Sequence, residues 1–367
     1  MILKSLTLYN FKNYKQEHTL FQTGYNVITG LNGAGKTNLL DAIYYLSLTK
    51  SFFQFQDQVL LYEKESFFRL EAIVEKDGND IELVCKVEPG QRKEFLINDR
   101  NYEKLSEHIG RFPLVMVTPD DIAVVKEYSD GRRKLIDTVL CQTDPAYLYY
   151  LSAYQKALTH RNAYIKSLNH NAKVDRILLQ TYNDQLAFSG QIIFEKRQLF
   201  TQALAPIFQR VYSALATARE SANLYYDSQL FHKPLSELLD YNELADIAGR
   251  RTSVGIHRDD WDFMLNGNPV KRTGSQGQQK SFLLALKLGL HQYMKDVLHI
   301  TPFLLLDDIF DKLDTERTAK LMQVVKEIGF VQIFITDTGA RDISKVFGED
   351  YKKIHHIYVE NGKISPS

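Results

Sequence analysis

Gly30-Leu31-Asn32-Gly33-Ala34-Gly35-Lys36-Thr37, followed by Asn38, decides how this chain is read. These residues match G-x4-G-K-[ST] without a mismatch. They follow a β-branched run at Tyr25 to Thr29. They precede Leu39, Leu40, Ile43, Tyr44 and Leu46, which fall on one face of a helix. Glycines at 30, 33 and 35 let the backbone fold around a phosphate, with amides pointing inward and a helix dipole behind them. Lys36 is then placed to bridge the β- and γ-phosphates of ATP, and the Thr37 hydroxyl to ligate Mg²⁺. A match of this kind arises by chance in roughly one chain in a hundred of this size. The strand–loop–helix context lowers that further, so a glycine-rich turn with a stray lysine is the poorer explanation.

A phosphate loop needs a carboxylate from a neighbouring strand. Phe303 to Leu306 are four apolar residues suited to a buried parallel strand, and Asp307 and Asp308 stand at its carboxyl end. Asp307 is the metal-side acid. Asp308, one residue on, is placed to polarise an attacking water as general base. Upstream, Ser275-Gln276-Gly277-Gln278 leads into the apolar helical segment Phe282 to Leu290. Ser275 is a good N-cap, and Gly277 lets an anion approach the first turn. Its natural client is the γ-phosphate held by a second subunit. Asp311 and Asp314 complete the order: phosphate loop, S-x-G-x-x, four apolar residues with two acids, D-x-x-D.

The bulk properties agree with a globular protein. The chain has 367 residues, with 45 Lys and Arg against 45 Asp and Glu. That length allows two domains, or one large core with an insertion. Zero net charge argues against indiscriminate coating of nucleic acid but leaves room for a local basic patch. The 44% hydrophobic content excludes a disordered chain. No apolar run approaches the ~20 residues of a membrane span, and Lys287 interrupts the apolar segment at 282–290. Cys85 and Cys141 are too few for a disulfide framework or a cysteine metal site. The first residues lack an apolar core of signal-peptide length, so a cytoplasmic setting is expected.

Strand-like segments are read at 67–74, 81–87 and 112–117, and long helices from about Arg132, with a break at 167–173. Between Tyr147 and Arg210 eight Lys or Arg face three Asp or Glu, which reads equally as a solvated helical face or a nucleic-acid contact. Strands resume near Arg251, and 302–335 reads strand, turn, helix, strand. The strand ending at Gly30 must lie near the one ending at Leu306. His257 and His291 are isolated and read as packing residues rather than ligands, as do Trp261 and the tyrosines of the helical stretch.

These motifs resemble the ABC-type ATPase heads of the SMC group and, within it, the RecF family of recombination mediators. The resemblance spans nearly the whole chain and includes residues 8–14, 30–38, 118–121, 131–137, 255–260, 275–280 and 304–310. It implies an α/β P-loop ATPase head with a mixed sheet flanked by helices. The head would be assembled from 1–130 and 245–367, with a mainly helical arm at 131–244 inserted. It also implies an ATP- and Mg²⁺-dependent homodimer that clamps gapped DNA at single-strand/double-strand junctions and works with RecO and RecR. Ser275, Gln276, Gly277 and Gln278 would contact ATP across the dimer, with Asp311 and Asp314 in the crossing loop. DNA would lie over the heads and between the arms, with Lys156, Arg161, Lys166, Lys173 and Arg176 as candidate contacts. Two positions depart from the family pattern: Asp337 stands where related ATPases place a switch histidine, and Phe53 where relatives place arginine. Asp308 is one methylene shorter than the usual glutamate, so hydrolysis is expected to take on the order of minutes per turnover, against a typical ~10 s⁻¹. Two alternatives share the head: a transporter-type ATPase, which needs an apolar docking groove, and an SMC-like chromosome organiser, which needs long coiled-coil arms.

Overall fold

The computed structural model describes residues 1–127, 129–168, 174–216, 220–310, 314–339 and 343–366. The chain opens with strands β1 (Ile2–Phe11), β2 (Tyr14–Leu20) and β3 (Gly24–Thr29), then helix α1 (Lys36–Leu48). Next come β4 (Phe68–Lys76), β5 (Asn79–Val87), β6 (Glu94–Ile97), β7 (Arg100–Asn101) and β8 (Leu114–Val117). A helical stretch follows, with α2 (Ile122–Lys126), α3 (Ser129–Thr143), α4 (Pro145–Ser167) and α5 (Arg176–Leu215). β9 (Ala222–Asp227), α6 (Leu235–Gly249), β10 (Asp260–Leu265), β11 (Asn268–Pro269), α7 (Val270–Thr273) and α8 (Gln276–Leu298) come after it. The remaining elements are β12 (Phe303–Leu306), α9 (Thr315–Ile328), β13 (Gln332–Asp337), α10 (Ile343–Phe347), β14 (Ile354–Glu360) and β15 (Lys363–Pro366).

The chain divides into two compact units. The first takes 1–122, 211–217 and 280–367, and the second 123–210 and 218–279. The first holds two sheets. One is antiparallel, in the order β2-β1-β4-β5-β6-β7; the other runs β15-β14-β3-β13-β12-β8, parallel except at β15. β12 is wholly apolar and wholly buried, as a central parallel strand must be. Helix α1 is buried nearly all round, which an amphipathic surface helix would not be. Its Tyr45 ring meets Phe68 of β4 edge-on at 5.3 Å, and Ser47 donates to the Phe112 carbonyl just before β8. α1 therefore ties the two sheets together, with the core spread along it.

The second unit contains α3, α4, most of α5, α6 and the small sheet β11-β10-β9. It is larger than the expected arm, because β10 pairs with β9 over six residues, from Asp260↔Asp227 to Leu265↔Ala222. That pairing draws 245–279 into the same unit as the helices. Trp261 stacks on Tyr226 at 4.9 Å and donates through Nε1 to Thr201 at 2.9 Å, a packing role. No helix among the described residues is long and apolar enough to cross a membrane.

Candidate nucleotide-binding site

The phosphate loop lies between β3 and α1, as read from the sequence. Leu31, Asn32 and Gly33 form its exposed crest, while Ala34, Gly35 and Lys36 are buried. At Gly30 a Cβ would stand 2.1 Å from the Val359 carbonyl oxygen, so only glycine lets β14 pass so close. Gly35 has φ +125° and would bring a Cβ within 2.6 Å of Asn13 Nδ2. Lys36 points back into the loop, its Nζ donating to the carbonyls of Gly30 at 2.9 Å and Leu31 at 3.1 Å.

β13 separates β3 from β12, pairing with both in parallel (Ile335↔Val27 and Ile335↔Leu306). The strands ending at Gly30 and Leu306 are thus one strand apart, and their carboxyl ends bring two motifs together. Thr37 Oγ1 donates to Asp307, at 2.9 Å from Oδ1 and 3.2 Å from Oδ2. Thr336, in β13, donates to Asp307 Oδ1 at 2.8 Å, and its oxygen accepts the Asp308 amide at 2.8 Å. Burial raises the Asp307 carboxyl above the usual carboxylate range, and neighbouring Asp308 adds to this. The Thr336 and Thr37 hydrogen bonds and Lys36 oppose it. Asp308 adopts φ +43°, and its Oδ1 is buried without a hydrogen-bond partner among the described residues. Asp337 pairs with Thr29 in register, and its Oδ1 accepts the Gly339 amide at 2.6 Å.

Thr37 and Asp307 present hard oxygens about one small cation apart, which fits Mg²⁺. That ion takes one or two carboxylates plus phosphate oxygens and water rather than an all-protein cage. Among the described residues no cluster of three or more His, Cys, Asp or Glu could hold a metal by itself. His291 is fully buried and hydrogen-bonds the Pro302 carbonyl; His257 bonds Tyr154 and the Thr252 carbonyl. Burial lowers both imidazoles to about 4.

The loop is braced by residues whose role was not read from the sequence. Asn13, in the β1–β2 turn, donates from Nδ2 to the Ala34 carbonyl at 2.9 Å and accepts from Asn38 Nδ2 at 2.8 Å. Tyr14 donates to the Gly35 carbonyl at 2.9 Å, and the Gly362 amide to Ala34 at 3.0 Å. The stretch at 8–14 carried the signal, but nothing local shows what Asn13 touches. Asn13→Ala removes two loop contacts at about 0.5–1.5 kcal/mol each and is expected to weaken ATP binding roughly tenfold. Titration calorimetry on a folded variant checks this.

The second candidate motif belongs to the second unit. Ser275 and Gln278 form a reciprocal capping box at the start of α8: the Gln278 amide donates to Ser275 Oγ at 3.2 Å, and the Ser275 amide to Gln278 Oε1 at 2.7 Å. Ser275 and Gln276 are exposed, and Gly277 partly so. Asp314 caps α9, accepting from the Arg317 amide at 2.9 Å, and the Arg317 contacts hold its carboxyl below the usual range. Asp311 lies outside the described residues.

The candidate DNA contacts divide. Lys156, Lys166 and Arg176 are exposed, and Lys173 lies outside the described residues. Arg161 is corrected: it is fully buried, with Nη1 donating to Asp246 and Thr252 at 2.7 Å each and Nε to Asn183 at 2.8 Å. It binds α4 to its own unit and offers nothing to DNA.

A parallel sheet with a phosphate loop at one strand end and a hydroxyl–carboxylate pair across β13 define a P-loop ATPase head of the SMC type. Residues 2–365 match the family model described as RecF/RecN/SMC N terminal domain. The chain belongs to the RecF family. It is 43% identical over 338 residues to the DNA replication and repair protein RecF of Flavobacterium johnsoniae, covering 92% of this chain and 94% of that one. It is 37% identical over 367 residues to the protein of that name from Cytophaga hutchinsonii, covering 100% and 97%. Among solved structures it resembles the recombination mediator protein RecF bound to ATP, in the RecFOR pathway. There the TM-score is 0.89 at 27% identity, covering 100% of this chain and 97% of that one. The Smc head domain of Pyrococcus furiosus matches in fold, with TM-score 0.58 at 18% identity, covering 100% and 95%.

Proposed function

We propose that this chain is an ATP-gated DNA clamp of recombinational repair. The first unit serves as its ATPase head and the second as its arm. Two chains close around two ATP molecules, each bound by Gly30 to Asn38 of one chain and capped by Ser275 to Gln278 of its partner. Asp314 lies near the crossing, with Asp311 beside it in sequence. Thr37 and Asp307 hold Mg²⁺, Lys36 neutralises the β- and γ-phosphates, and Asp308 draws the proton from the attacking water. The closed dimer grips gapped DNA at single-strand/double-strand junctions, mainly through phosphates, with Lys156, Lys166 and Arg176 as candidate arm contacts. Slow, DNA-stimulated hydrolysis reopens it. RecO and RecR act with it to help load RecA, in the cytoplasm and on the nucleoid, and so support SOS induction.

One observation carries this reading: Thr37 and Asp307, 270 residues apart in sequence, meet at 2.9 Å, next in sequence to Asp308, whose buried Oδ1 has no hydrogen-bond partner among the described residues. ATP then acts as a switch, adding contacts in the closed state only and shifting that equilibrium by its differential affinity. Light scattering of the wild type with and without ATP tests it, beside Lys36→Met and Ser275→Arg. The mass is expected to double only with ATP, and only in the wild type. A monomer under all conditions breaks the clamp. A DNA-free turnover above about one per second contradicts the switch.

A further inference from the structure

Two helices of the second unit form a groove that the nucleotide site does not use. Between α4 and α5 lies a cavity of about 390 Å³, walled by Tyr149, Tyr150, Lys156 and His160 of α4 and Tyr182 and Phe188 of α5. Positions 149, 153, 156 and 160 recur at helical spacing, as do 182, 185 and 189, so each helix turns one stripe toward the groove. Tyr149 is 70% exposed and Phe188 65%, whereas Tyr147 and Tyr154 on the same helix are fully buried. Tyr147 and Tyr154 therefore do the packing expected of the arm tyrosines, whereas Tyr149 and Phe188 stand mostly in solvent.

Ring geometry and charge together select the occupant. Tyr149 and Tyr150 meet at 5.2 Å, Tyr150 and Phe188 at 5.9 Å, and His160 and Tyr182 at 6.1 Å, at interplanar angles of 81°, 71° and 68°. No pair is stacked, so flat faces remain for further rings, above all on Tyr149 and Phe188. None of the lining residues is acidic, Lys156 lies among the rings, and α4 carries no Asp or Glu from Pro145 to Ser167. A polymer that offers planar rings on an anionic backbone is complementary to such a wall. Bases inside a duplex are already stacked and cannot reach it.

We propose that the α4–α5 groove is a single-strand nucleic-acid site, with unpaired bases stacked on Tyr149, Phe188 and their neighbours and phosphates turned toward Lys156. The proposal rests on the reading of the chain as a DNA clamp and deepens it, by assigning the unpaired strand of a junction to the arm.

The test uses the full chain and fluorescence anisotropy with labelled (dT)20, a fully abasic 20-mer and a gapped duplex. Tyr149 and Phe188 are exposed, so changing them puts little of the core at risk, and thermal melting confirms that the variants fold. Tyr149→Ala with Phe188→Ala is expected to weaken (dT)20 binding by at least tenfold, and Tyr149→Phe with Phe188→Tyr by less than about twofold, because stacking tolerates any aromatic face. The abasic 20-mer is expected to bind the wild type as weakly as (dT)20 binds the alanine pair. Equal affinity of wild type and alanine pair for (dT)20 overturns the proposal, as does equal affinity for the abasic strand. Binding of an aromatic peptide in the groove without any (dT)20 affinity also overturns it. The two readings fail differently. If only the groove is wrong, ATP-dependent binding of the gapped duplex persists and ignores the alanine pair; if the clamp reading is wrong, the wild type does not bind the gapped duplex with ATP.

Discussion

Asp308→Asn is expected to slow ATP turnover by ~100- to 10,000-fold, the range for losing a general base, while ATP still draws two chains together. The geometry behind this is specific. The Asp308 amide is pinned by Thr336 Oγ1, the backbone is held at φ +43°, and Oδ1 is buried with no hydrogen-bond partner among the described residues. A carboxylate oxygen kept free in that setting is available to a water that arrives with nucleotide. Asparagine keeps the shape and loses the basicity, so binding and closure survive while the chemical step does not. Asp307→Asn gives the contrasting result. It removes the charge opposite Thr37, so metal-dependent ATP affinity itself falls. Single-turnover hydrolysis and light scattering on the two variants separate the roles. Wild-type turnover in Asp308→Asn removes Asp308 from the chemistry.

Arg161→Met is expected to destabilise the second unit by about 3–5 kcal/mol, the cost of leaving its partner's charge buried and alone. Both Arg161 and Asp246 have fully buried side chains, and Asp246 also accepts from the Ser253 amide at 2.9 Å and hydroxyl at 2.6 Å. For a unit of this size the midpoint of thermal unfolding falls by roughly 6–20 °C. Adding Asp246→Leu recovers much of the loss, because an ion pair replaced on both sides no longer strands a charge. Calorimetry of the two variants checks both steps. An unchanged midpoint in Arg161→Met returns Arg161 to the candidate DNA contacts.

Arg161 also marks where the sequence ceased to be legible. The local excess of Lys and Arg over Asp and Glu around it reads as a solvated or DNA-facing surface, but whether a guanidinium is solvated depends on what packs against it, and Asp246 is 85 residues away. The phosphate loop and the acids after Leu306 were legible because each function sits in one short run with a strand beside it. Ser275 as a cap was legible for the same reason. Thr336 was not: its importance comes from standing between β3 and β12, a consequence of strand order. Asn13 lies within the stretch at 8–14, yet its hold on Ala34 exists only after β1 and β2 turn back over the loop. The division into units shows the same limit. β9 and β10 pair over a separation that no local pattern announces, and 245–279 falls in the second unit with them.

The position of β3 has a consequence for synthesis. It leaves the ribosome among the first elements, yet its two neighbours in the sheet, β13 and β14, are made some 300 residues later. At 5–20 residues per second that delay is roughly 15–60 s. Throughout it both hydrogen-bonding edges of this strand lack their partners, and such edges invite pairing with other chains. Nucleotide capture is therefore a late event in the life of each molecule. A nascent chain stalled before β13 has its complete phosphate loop motif and no site.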